Sequence, residues 1–227
     1  MSGDLLGWLG ALDGEELLHA LLRVFPGNTA VMSSFGAESA VLLDLVARVK
    51  PDLPILSIDT GRLFPETVAY RDMLLARLGL TGLRLLRPDP AEAAARDGDG
   101  ELWFRDPDAC CALRKVAPLK TGAAGFTVLI DGRKRFHGNE RATISTVQWA
   151  RGVIEASPLA TWDAERIEAA FVARDLPRHP LVAKGIRSIG CQPCTSPVGE
   201  GDAVRAGRWS GRGKTECGIH TTKWTST

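Results

Sequence analysis

Apolar residues in the first half of the chain alternate between helical spacing and the short continuous runs of buried strands. Leu and Ala recur at helical spacing through residues 4–24, which predicts one amphipathic helix ending before Pro26-Gly27. Strands and helices then alternate over 29–32, 37–49, 53–58, 65–78 and 83–86. This β-α-β order predicts an α/β fold with a mainly parallel sheet flanked by helices, and ligands bound beyond the carboxyl ends of the strands.

The second half of the chain is less regular. Helices are predicted over 91–96, 108–119 and 163–174, and a strand over 126–130. From Pro197 onward aliphatic residues give way to Gly, Ser, Thr, Arg and Lys, which predicts a mobile tail. We therefore divide the chain into an α/β domain at 1–198 and a flexible tail at 199–227.

The composition of the chain is typical of a soluble globular protein, with 44% hydrophobic and 24% charged residues among 227. The 28 Lys and Arg residues nearly balance the 27 Asp and Glu residues, so the net charge of +1 provides no global field for binding nucleic acid. No apolar run approaches the roughly 18 residues of a membrane-spanning helix, and the Leu-rich start lacks the features of a signal peptide. We therefore expect a cytoplasmic protein that binds neither nucleic acid nor membrane.

Three loops at predicted strand ends carry small, hydroxyl or charged residues. The sequence SSFGAES at 33–39 lets backbone N–H groups and hydroxyls approach an anion at a helix start, although a serine-rich helix cap explains it equally well. The sequence DTGR at 59–62 provides a carboxylate and a guanidinium for a nucleotide, or forms only a turn. The sequence GRKR at 132–135, near Arg141, either binds an anion or is a solvated basic loop. The presence of all three loops at one edge of the sheet favours a site that binds an anion.

Four of the five cysteines form two close pairs, Cys110 with Cys111 and Cys191 with Cys194. Without a secretory signal, such cysteines are typical of metal ligands or reactive thiols. Four thiolates suit one zinc ion or one [4Fe–4S] cluster, and the adjacent pair favours iron because zinc ligands are usually separated by two to four residues. Alternatively, Cys191 and Cys194 form a redox pair and the adjacent cysteines are inert. Lys115, about one helical turn beyond the adjacent pair, could offset the charge of a cluster.

The fifth cysteine, Cys217, lies in the predicted tail, where core packing does not explain it. Nearby positive charge lowers the pKa of a thiol, so Cys217 is a candidate thiolate nucleophile, although an ordinary exposed cysteine fits the same segment. Glu216 acts against this activation. The basic residues around Cys217 are Arg205, Arg208, Arg212, Lys214 and His220.

With these motifs in this order, the chain resembles the adenylyl-sulfate and phosphoadenylyl-sulfate reductases of assimilatory sulfate reduction, specifically their iron–sulfur-containing bacterial branch. The resemblance implies an adenine nucleotide α-hydrolase-like fold, related to the PP-loop ATP pyrophosphatases, with a C-terminal tail that closes over the substrate. The motifs that carry it are SSFGAES at 33–39, DTGRLFPET at 59–67, CCALRKVAPL at 110–119, SIGCQPCT at 188–195, RAGRW at 205–209 and ECGIH at 216–220.

The resemblance also implies roles for individual residues. Lys115 resembles a lysine between cluster and substrate, and Lys134 and Arg135 resemble paired basic residues that bind the anionic group. The family usually has Arg at the position of Lys134, and Lys cannot reproduce its bidentate fork. The residues expected around the nucleotide and its phosphosulfate are Ser33, Ser34, Phe35, Gly36, Asp59, Thr60 and Gly61. The expected cluster ligands are Cys110, Cys111, Cys191 and Cys194, and the tail contributes Arg205, Arg208, Cys217 and His220.

The activity implied by the resemblance is the thioredoxin-dependent reduction of adenylyl sulfate to sulfite and AMP. Cys217 attacks the sulfo group and forms an S-sulfocysteine, from which thioredoxin or a similar dithiol donor releases sulfite. One [4Fe–4S] cluster per chain orders the site and tunes its electrostatics.

Other functions stay open at this stage. The first is the same chemistry on phosphoadenylyl sulfate, against which the four paired cysteines argue. The second is a PP-loop ATP pyrophosphatase or thiolation enzyme, whose phosphate loop normally reads closer to SGGxDS. The third is a non-catalytic iron–sulfur module, which Cys217 disfavours. A homo-oligomer is compatible with all of them.

Overall fold

The computed structural model describes residues 3–220 and has one six-stranded sheet at its centre. The strands are β1 (Thr29–Met32), β2 (Ile55–Ile58), β3 (Leu83–Leu86), β4 (Val128–Ile130), β5 (Val147–Ala150) and β6 (Val153–Ala156). They lie in the order β3-β2-β1-β4-β6-β5, and all neighbours are parallel except β5, which pairs antiparallel with β6. Because the strand order reverses between β1 and β4, their loops flank a crevice at the carboxyl edge of the sheet.

Helices cover both faces of this sheet. They are α1 (Gly3–Gly10), α2 (Gly14–Val24), α3 (Ser39–Val49), α4 (Pro65–Leu78), α5 (Pro90–Arg96), α6 (Leu102–Arg105), α7 (Pro107–Cys111), α8 (Ala117–Gly122) and α9 (Ala164–Ala173). Successive strand residues face opposite sides, so Val31 and Ile55 share a core with α2, α3 and α9, whereas Met32 and Leu56 pack with Leu119 of α8. Across residues 3–220, no helix combines the length and apolarity needed to cross a membrane.

The predicted α/β fold is confirmed, and several elements have the predicted bounds. β1, β3 and α4 match to the residue, and Asp163 caps α9 by accepting the backbone N–H of Arg166 at 2.8 Å. The helix after β1 begins at Ser39 rather than at residue 37. β2 begins at Ile55 rather than at residue 53, because Pro54 has no N–H to donate to the ladder.

The prediction of a single helix over residues 4–24 is wrong, because α1 and α2 are separate helices. Gly14, which begins α2, has a φ of +50°, a left-handed conformation that glycine adopts without steric cost. Its N–H donates to the carbonyl of Pro158 at 2.8 Å, and a Cβ at this position would lie 3.1 Å from the ring of Trp162. A contact with a distant segment therefore sets where the second helix begins, which the apolar spacing does not reveal.

The hairpin of β5 and β6 was missed by the sequence analysis. Its two-residue turn, Arg151-Gly152, has φ values of +55° and +83°, as in the type I′ turns that suit the twist of a hairpin. The strands are short, and β6 contains a buried Glu155 that accepts hydrogen bonds from Arg133 and Arg151. A buried carboxylate in a strand breaks the apolar pattern on which strand prediction depends.

Residues 199–220 form no regular helix or strand. They lie against the domain, where Thr195 and Arg208 form an isolated antiparallel bridge. Trp209, only 3% exposed, donates its backbone N–H to the carbonyl of Cys194 at 3.2 Å. The remaining tail residues, 221–227, lie outside the described part of the chain.

His179 is a buried titratable group that links α4 to the segment after α9. Its Nε2 shares a hydrogen bond of 3.1 Å with Thr67 Oγ1, and its Nδ1 accepts the backbone N–H of Leu181 at 3.1 Å. Burial lowers the pKa of His179 to about 4, so the folded protein holds a neutral ring near neutral pH.

The first prediction concerns the acid sensitivity that His179 gives the fold. Since the unfolded chain takes up this proton near pH 6.5 and the folded chain only near 4, stability falls as pH decreases between about 6.5 and 4. We expect His179→Asn, which keeps an acceptor for Leu181, to remove up to about 3 kcal/mol of this loss. Urea unfolding of both proteins across this range measures it, and parallel pH profiles would contradict the assignment.

Candidate functional site

A cavity of about 240 Å³ lies beyond the carboxyl ends of β1, β2 and β4, at the crevice that the strand order creates. The loops after these strands form its floor, and tail residues between 205 and 220 form its outer wall. Among the residues predicted for the site, the cavity is lined by Ser33, Ser34, Gly36, Thr60, Lys115, Lys134, Cys191, Arg205, Arg208, Cys217 and His220. The structure therefore brings together residues that are up to 187 positions apart in the sequence.

The loop after β1 presents small residues to the cavity and anchors itself in the core. Ser33 Oγ accepts the backbone N–H of Phe35 at 3.2 Å, and Phe35 has a φ of +48° that turns the chain sharply. The ring of Phe35 is 1% exposed and belongs to the main core, so it does not line the cavity. Gly36 does line the cavity, and a Cβ added at this glycine would lie 3.4 Å from Ser34 Oγ. Phe35 thus fixes the loop from behind while its neighbours face the ligand space.

Only part of the loop after β2 reaches the cavity. Thr60 lines it, and Thr60 Oγ1 lies 3.3 Å from Cys191 Sγ. Asp59 points elsewhere, where it accepts a hydrogen bond from Arg87 Nε at 3.0 Å and one from the N–H of Gly61 at 3.0 Å. Asp59 and Gly61 therefore shape the turn rather than the cavity wall.

The three basic residues after β4 have three different environments. Arg133 lines the cavity, but its guanidinium is held in ion pairs with Asp131 at 2.8 Å and Glu155 at 2.9 Å. Lys134 faces the cavity and is 3% exposed. Arg135, predicted to bind the anionic group, is exposed outside the cavity and donates to the carbonyl of Ile144 at 3.0 Å. Lys134 has an extended backbone and Arg135 begins a 3₁₀ turn, so the three side chains leave the chain in different directions.

Glu38 neutralises Lys134 inside the cavity wall. Its Oε2 lies 2.8 Å from Lys134 Nζ and 3.0 Å from His137 Nε2. Burial works against ionisation of Glu38, but the hydrogen bond from His137 and the charge of Lys134 lower its pKa to about 2. The sequence analysis gave no role to Glu38 or His137, although Glu38 lies within the SSFGAES motif.

His220 reaches from the tail into the buried charges behind β4. Its Nδ1 lies 3.7 Å from Asp131 Oδ2, and Asp131 also accepts the hydroxyl of Ser157 at 2.8 Å. Burial, which outweighs the nearby Asp131, lowers the pKa of His220 to about 4, so its ring is neutral near pH 7. His220, Asp131 and Glu155 lie close enough to hold a metal ion, but Arg133 already occupies both carboxylates.

The four paired cysteines surround a second, narrow cavity beside the first. It is lined by Cys110, Cys111, Cys191 and Cys194 together with Arg62, Arg114 and Lys115. All four are free thiols. Burial raises the pKa of Cys111 to about 12 and that of Cys110 and Cys194 to a smaller extent, whereas Lys115 and the Thr60 hydroxyl overcome burial at Cys191 and lower its pKa. Such a set of buried sulfurs beside cations is suited to an anionic metal centre.

The spacing of these sulfurs distinguishes between metals. Among the residues that the structure describes, no three of them lie within 4.8 Å of one another. Sulfurs bound tetrahedrally to one zinc ion at about 2.3 Å lie only about 3.8 Å apart. The four sulfurs as a set are therefore spread more widely than four thiolates around one zinc ion.

Lys115 lines both cavities. It lies in a segment predicted as one α-helix over 108–119, part of which is a π-helix in the structure. α7 passes into a π-helical turn, Ala112–Val116, before α8, and the N–H of Ala117 donates to the carbonyl of Ala112. Such turns are frequent at functional sites. Burial opposes the charge of Lys115, but the sulfurs of Cys191 and Cys217 raise its pKa above the usual range, so it stays a cation.

A buried carboxylate holds the other cations beside the cysteines. The Asp97 side chain is fully buried and accepts hydrogen bonds from Arg114 Nε at 2.9 Å and Arg114 Nη2 at 2.6 Å. Arg62 lies 3.5 Å from the same carboxylate and donates to the carbonyl of Gly100. Asp97 was not singled out by the sequence analysis, because nothing in its local pattern distinguishes it from the acidic residues around it.

The tail adds Cys217 and two arginines to the cavity. Glu216, beside Cys217, forms ion pairs with Arg141 at 2.6 Å and with Arg205 at 3.2 Å. Arg208 stacks over the ring of Trp209, 4.4 Å from its centroid, and donates to the carbonyl of Cys194 at 3.3 Å. Trp209 belongs to the RAGRW motif, but the sequence analysis gave it no role.

The cations of the main cavity therefore fall into two groups. The cations with a carboxylate partner are Arg133, Lys134, Arg141 and Arg205. Between residues 3 and 220, no carboxylate pairs with Lys115, Arg187 or Arg208. Arg187 donates to the backbone carbonyls of Gly199 and Asp202, whereas Lys115 and Arg208 line the cavity together with Cys217. These two are placed to attract an anion that enters the cavity.

Comparisons with known proteins agree with this geometry. Residues 28–197 match the phosphoadenosine phosphosulfate reductase domain. An adenosine 5'-phosphosulfate reductase of Mesorhizobium japonicum is 45% identical over 93% of this chain and 84% of its own length. A phosphoadenosine 5'-phosphosulfate reductase of Gloeobacter violaceus is 42% identical over 91% of this chain and 88% of its own length.

Solved structures share the fold. The phosphoadenylyl-sulfate reductase of Candida auris superposes with a TM-score of 0.73 at 25% identity, covering 87% of this chain and 98% of that one. Yeast FAD synthetase shares the fold alone. It is 17% identical and superposes with a TM-score of 0.54, covering 87% of this chain and 70% of that one. The predicted adenine nucleotide α-hydrolase-like fold is thus confirmed, and the chain belongs to the phosphoadenosine phosphosulfate reductase domain family.

Proposed function

We propose that this protein reduces adenylyl sulfate to sulfite and AMP, with electrons from thioredoxin or a similar dithiol donor. The observation that carries the proposal is the position of Cys217, a thiol on the wall of a cationic cavity at the nucleotide-binding edge of the sheet. The relatives named adenosine 5'-phosphosulfate reductase support this substrate.

The reaction proceeds in two thiol-exchange steps. The thiolate of Cys217 attacks the sulfur of the sulfo group, an S–S bond forms, the S–O bond to the phosphate breaks, and AMP leaves with both electrons of that bond. A donor thiolate then attacks Cys217 Sγ, releases sulfite and forms a mixed disulfide. The second donor thiol resolves that disulfide and regenerates Cys217, so the donor dithiol supplies the two electrons that reduce sulfate to sulfite.

The cavity charges explain how an anionic thiolate approaches an anionic substrate. Lys115 and Arg208, which have no carboxylate partner among residues 3–220, attract the phosphosulfate and stabilise the charge that develops on the leaving phosphate. Ser33, Ser34 and Gly36 offer hydroxyls and backbone N–H groups to the nucleotide side of the same space. Thr60 joins that wall, whereas Phe35, Asp59, Gly61 and Arg135 act only through the shape of their loops.

We further propose that the four paired cysteines hold one [4Fe–4S] cluster. The wide spacing of their sulfurs supports this, as do the cations Arg62, Arg114 and Lys115 around them. A cluster bound there would supply fixed negative charge and would join distant segments of the chain. Lys115, placed between the cysteines and Cys217, would couple that charge to the cavity.

A second substrate, the 3'-phosphorylated analogue phosphoadenylyl sulfate, is favoured by one observation, the name of the Gloeobacter relative. Its chemistry at Cys217 is identical. A PP-loop ATP pyrophosphatase is less well supported, because the loop reads SSFGAES and the FAD synthetase likeness concerns the fold alone.

The second prediction concerns the metal centre. Protein purified without oxygen is expected to contain about four irons per chain and to be brown, because four cysteine ligands complete one cuboidal cluster. Cys194→Ser is expected to lose most of the iron and to unfold more easily, since ligands from distant segments make metal binding part of folding. Metal analysis and visible absorbance measure both effects. Stoichiometric zinc in a colourless protein would rule out the cluster.

The third prediction concerns substrate choice. With thioredoxin present, kcat/KM for sulfite release is expected to be higher for adenylyl sulfate than for phosphoadenylyl sulfate. Parallel assays of one enzyme preparation with both nucleotides make the comparison. The reverse preference would assign the protein to the 3'-phosphorylated substrate.

The fourth prediction concerns Cys217, the described cysteine that lies outside the four-cysteine cavity. Without a reductant, substrate is expected to leave AMP in solution and a sulfo adduct on the peptide that contains Cys217. Cys217→Ser is expected to keep iron and nucleotide binding but to release no sulfite. Peptide mass spectrometry locates the adduct, and Cys217→Ala serves as a second variant that removes the weak serine nucleophile. An adduct on Cys191 or Cys194 would overturn the mechanism.

A further inference from the structure

Three charged side chains form a buried ion-pair chain beside Cys217. Glu216 Oε1 accepts from Arg141 Nε at 2.6 Å and Glu216 Oε2 from Arg141 Nη2 at 3.2 Å. Arg205 Nη2 lies 3.2 Å from the same Oε1. All three side chains are largely buried: Arg141 is 17% exposed, Glu216 10% and Arg205 9%. One carboxylate thus joins two guanidiniums in the cavity wall.

Glu216 offsets the repulsion between two arginines that are both largely desolvated. Burial lowers the pKa of Arg205 to about 10, and the like charge of Arg141 is the second cause of this shift. Burial also opposes the charge of Glu216, but the hydrogen bond and charge of Arg141 lower its pKa below the usual range. The carboxylate is therefore ionised at neutral pH and balances the repulsion between the arginines.

The ion-pair chain connects the domain to the tail. Arg141 ends the short 3₁₀ turn Asn139–Arg141 after β4, whereas Arg205 and Glu216 lie in the tail. Arg205 also donates to the carbonyl of Thr215 at 2.6 Å, which closes the tail into a loop around Glu216.

Two contacts near Cys217 between tail and domain lie at the exposed rim. Thr215 Oγ1 donates to Glu140 at 2.7 Å, and Lys214 pairs with an Asp108 whose side chain is 85% exposed. Exposed contacts of this kind contribute little to stability, whereas removing one partner of a buried pair leaves an uncompensated charge. Trp209 at Cys194 and His220 near Asp131 anchor the tail on either side, and between these anchors the contact of Glu216 with Arg141 joins the tail to the domain through an ion pair in the cavity wall.

We propose that Glu216 is a positioning residue that holds the tail closed before substrate arrives and so fixes the place of Cys217, its neighbour in the chain. The importance of Glu216 for the reaction rests on the proposed role of Cys217. The position of the tail that we infer does not depend on that role. The sequence alone suggested the opposite role, that Glu216 opposes activation of the thiol. Paired with two arginines, its charge is already compensated.

The fifth prediction measures the exposure of Cys217 directly. In the iron-loaded full-length protein, Glu216→Gln is expected to raise the rate of Cys217 alkylation by iodoacetamide roughly tenfold or more, because the buried arginines then repel each other and the tail opens. Rates are measured between about pH 7 and 9, where both arginines stay charged, and each is divided by the ionised fraction of the thiol from the same titration, so that a changed thiol pKa does not contribute. Peptide mass spectrometry assigns the modified cysteine.

Glu140→Gln is the matched control. It removes a carboxylate from the adjacent residue of the same turn, which contacts the same tail segment at the rim. Its alkylation rate is expected to stay within about twofold of the wild type, because an exposed contact contributes little. Glu216→Asp, which keeps the charge on a shorter side chain, is expected to fall between the wild type and Glu216→Gln. An unchanged rate in Glu216→Gln, or an equal rise in Glu140→Gln, would overturn the proposal.

Steady-state kinetics separate positioning from a general loss of structure. In Glu216→Gln substrate binding must also close the opened tail, whereas the closed complex reacts as before once it has formed, so this variant is expected to raise KM more than it lowers kcat. A fall in kcat with unchanged KM would contradict this. If Cys217→Ser proves active, the proposed function fails, yet the alkylation contrast between the Glu216 and Glu140 variants still tests the position of the tail.

Discussion

Positive charge gathered in a desolvated crevice is the constraint on which the rest of this structure depends. A buried cation is stable only when a carboxylate or another anion compensates it. Glu38 compensates Lys134, Glu216 compensates Arg141 and Arg205, and Asp97 compensates Arg114 beside the cysteines. Some cations face the cavity without such a partner among residues 3–220. An anionic ligand binds most favourably next to these cations.

The sheet topology explains why these charges meet. β1 lies between β2 and β4, so loops that are far apart in sequence end at one edge. Glu38 follows β1 and Lys134 follows β4, and their ion pair crosses the crevice between the two strands. Behind them, Arg133 is held by Asp131 and by Glu155 of β6. The parallel strand order thus creates the crevice, and the carboxylates let it accumulate positive charge.

The tail and the cysteine cavity are parts of one arrangement. Cys194 accepts the N–H of Trp209 through its carbonyl, so the segment that carries two thiols also forms the seat of the tail. Lys115 contacts both sides because the π-helical turn moves it out of the regular helical register. The cysteine cavity and the surface under the tail are therefore adjacent, and the tail places Cys217 on the wall of the cationic cavity.

The sequence by itself determined the strands with continuous apolar runs, the capped helices, the paired cysteines and the isolated Cys217, since each of these depends on local pattern or spacing. Only the tertiary structure decided which neighbours share a site. Arg133, Lys134 and Arg135 have similar chemistry and adjacent positions, yet Arg133 is held by Asp131 and Glu155, Lys134 is paired with Glu38, and Arg135 is exposed. The hairpin with its buried Glu155, the break at Gly14 and the pairing of Glu216 with Arg141 likewise depend on contacts between distant segments. Local pattern reports what a residue can do, whereas backbone direction and the partners brought by the fold decide what it does.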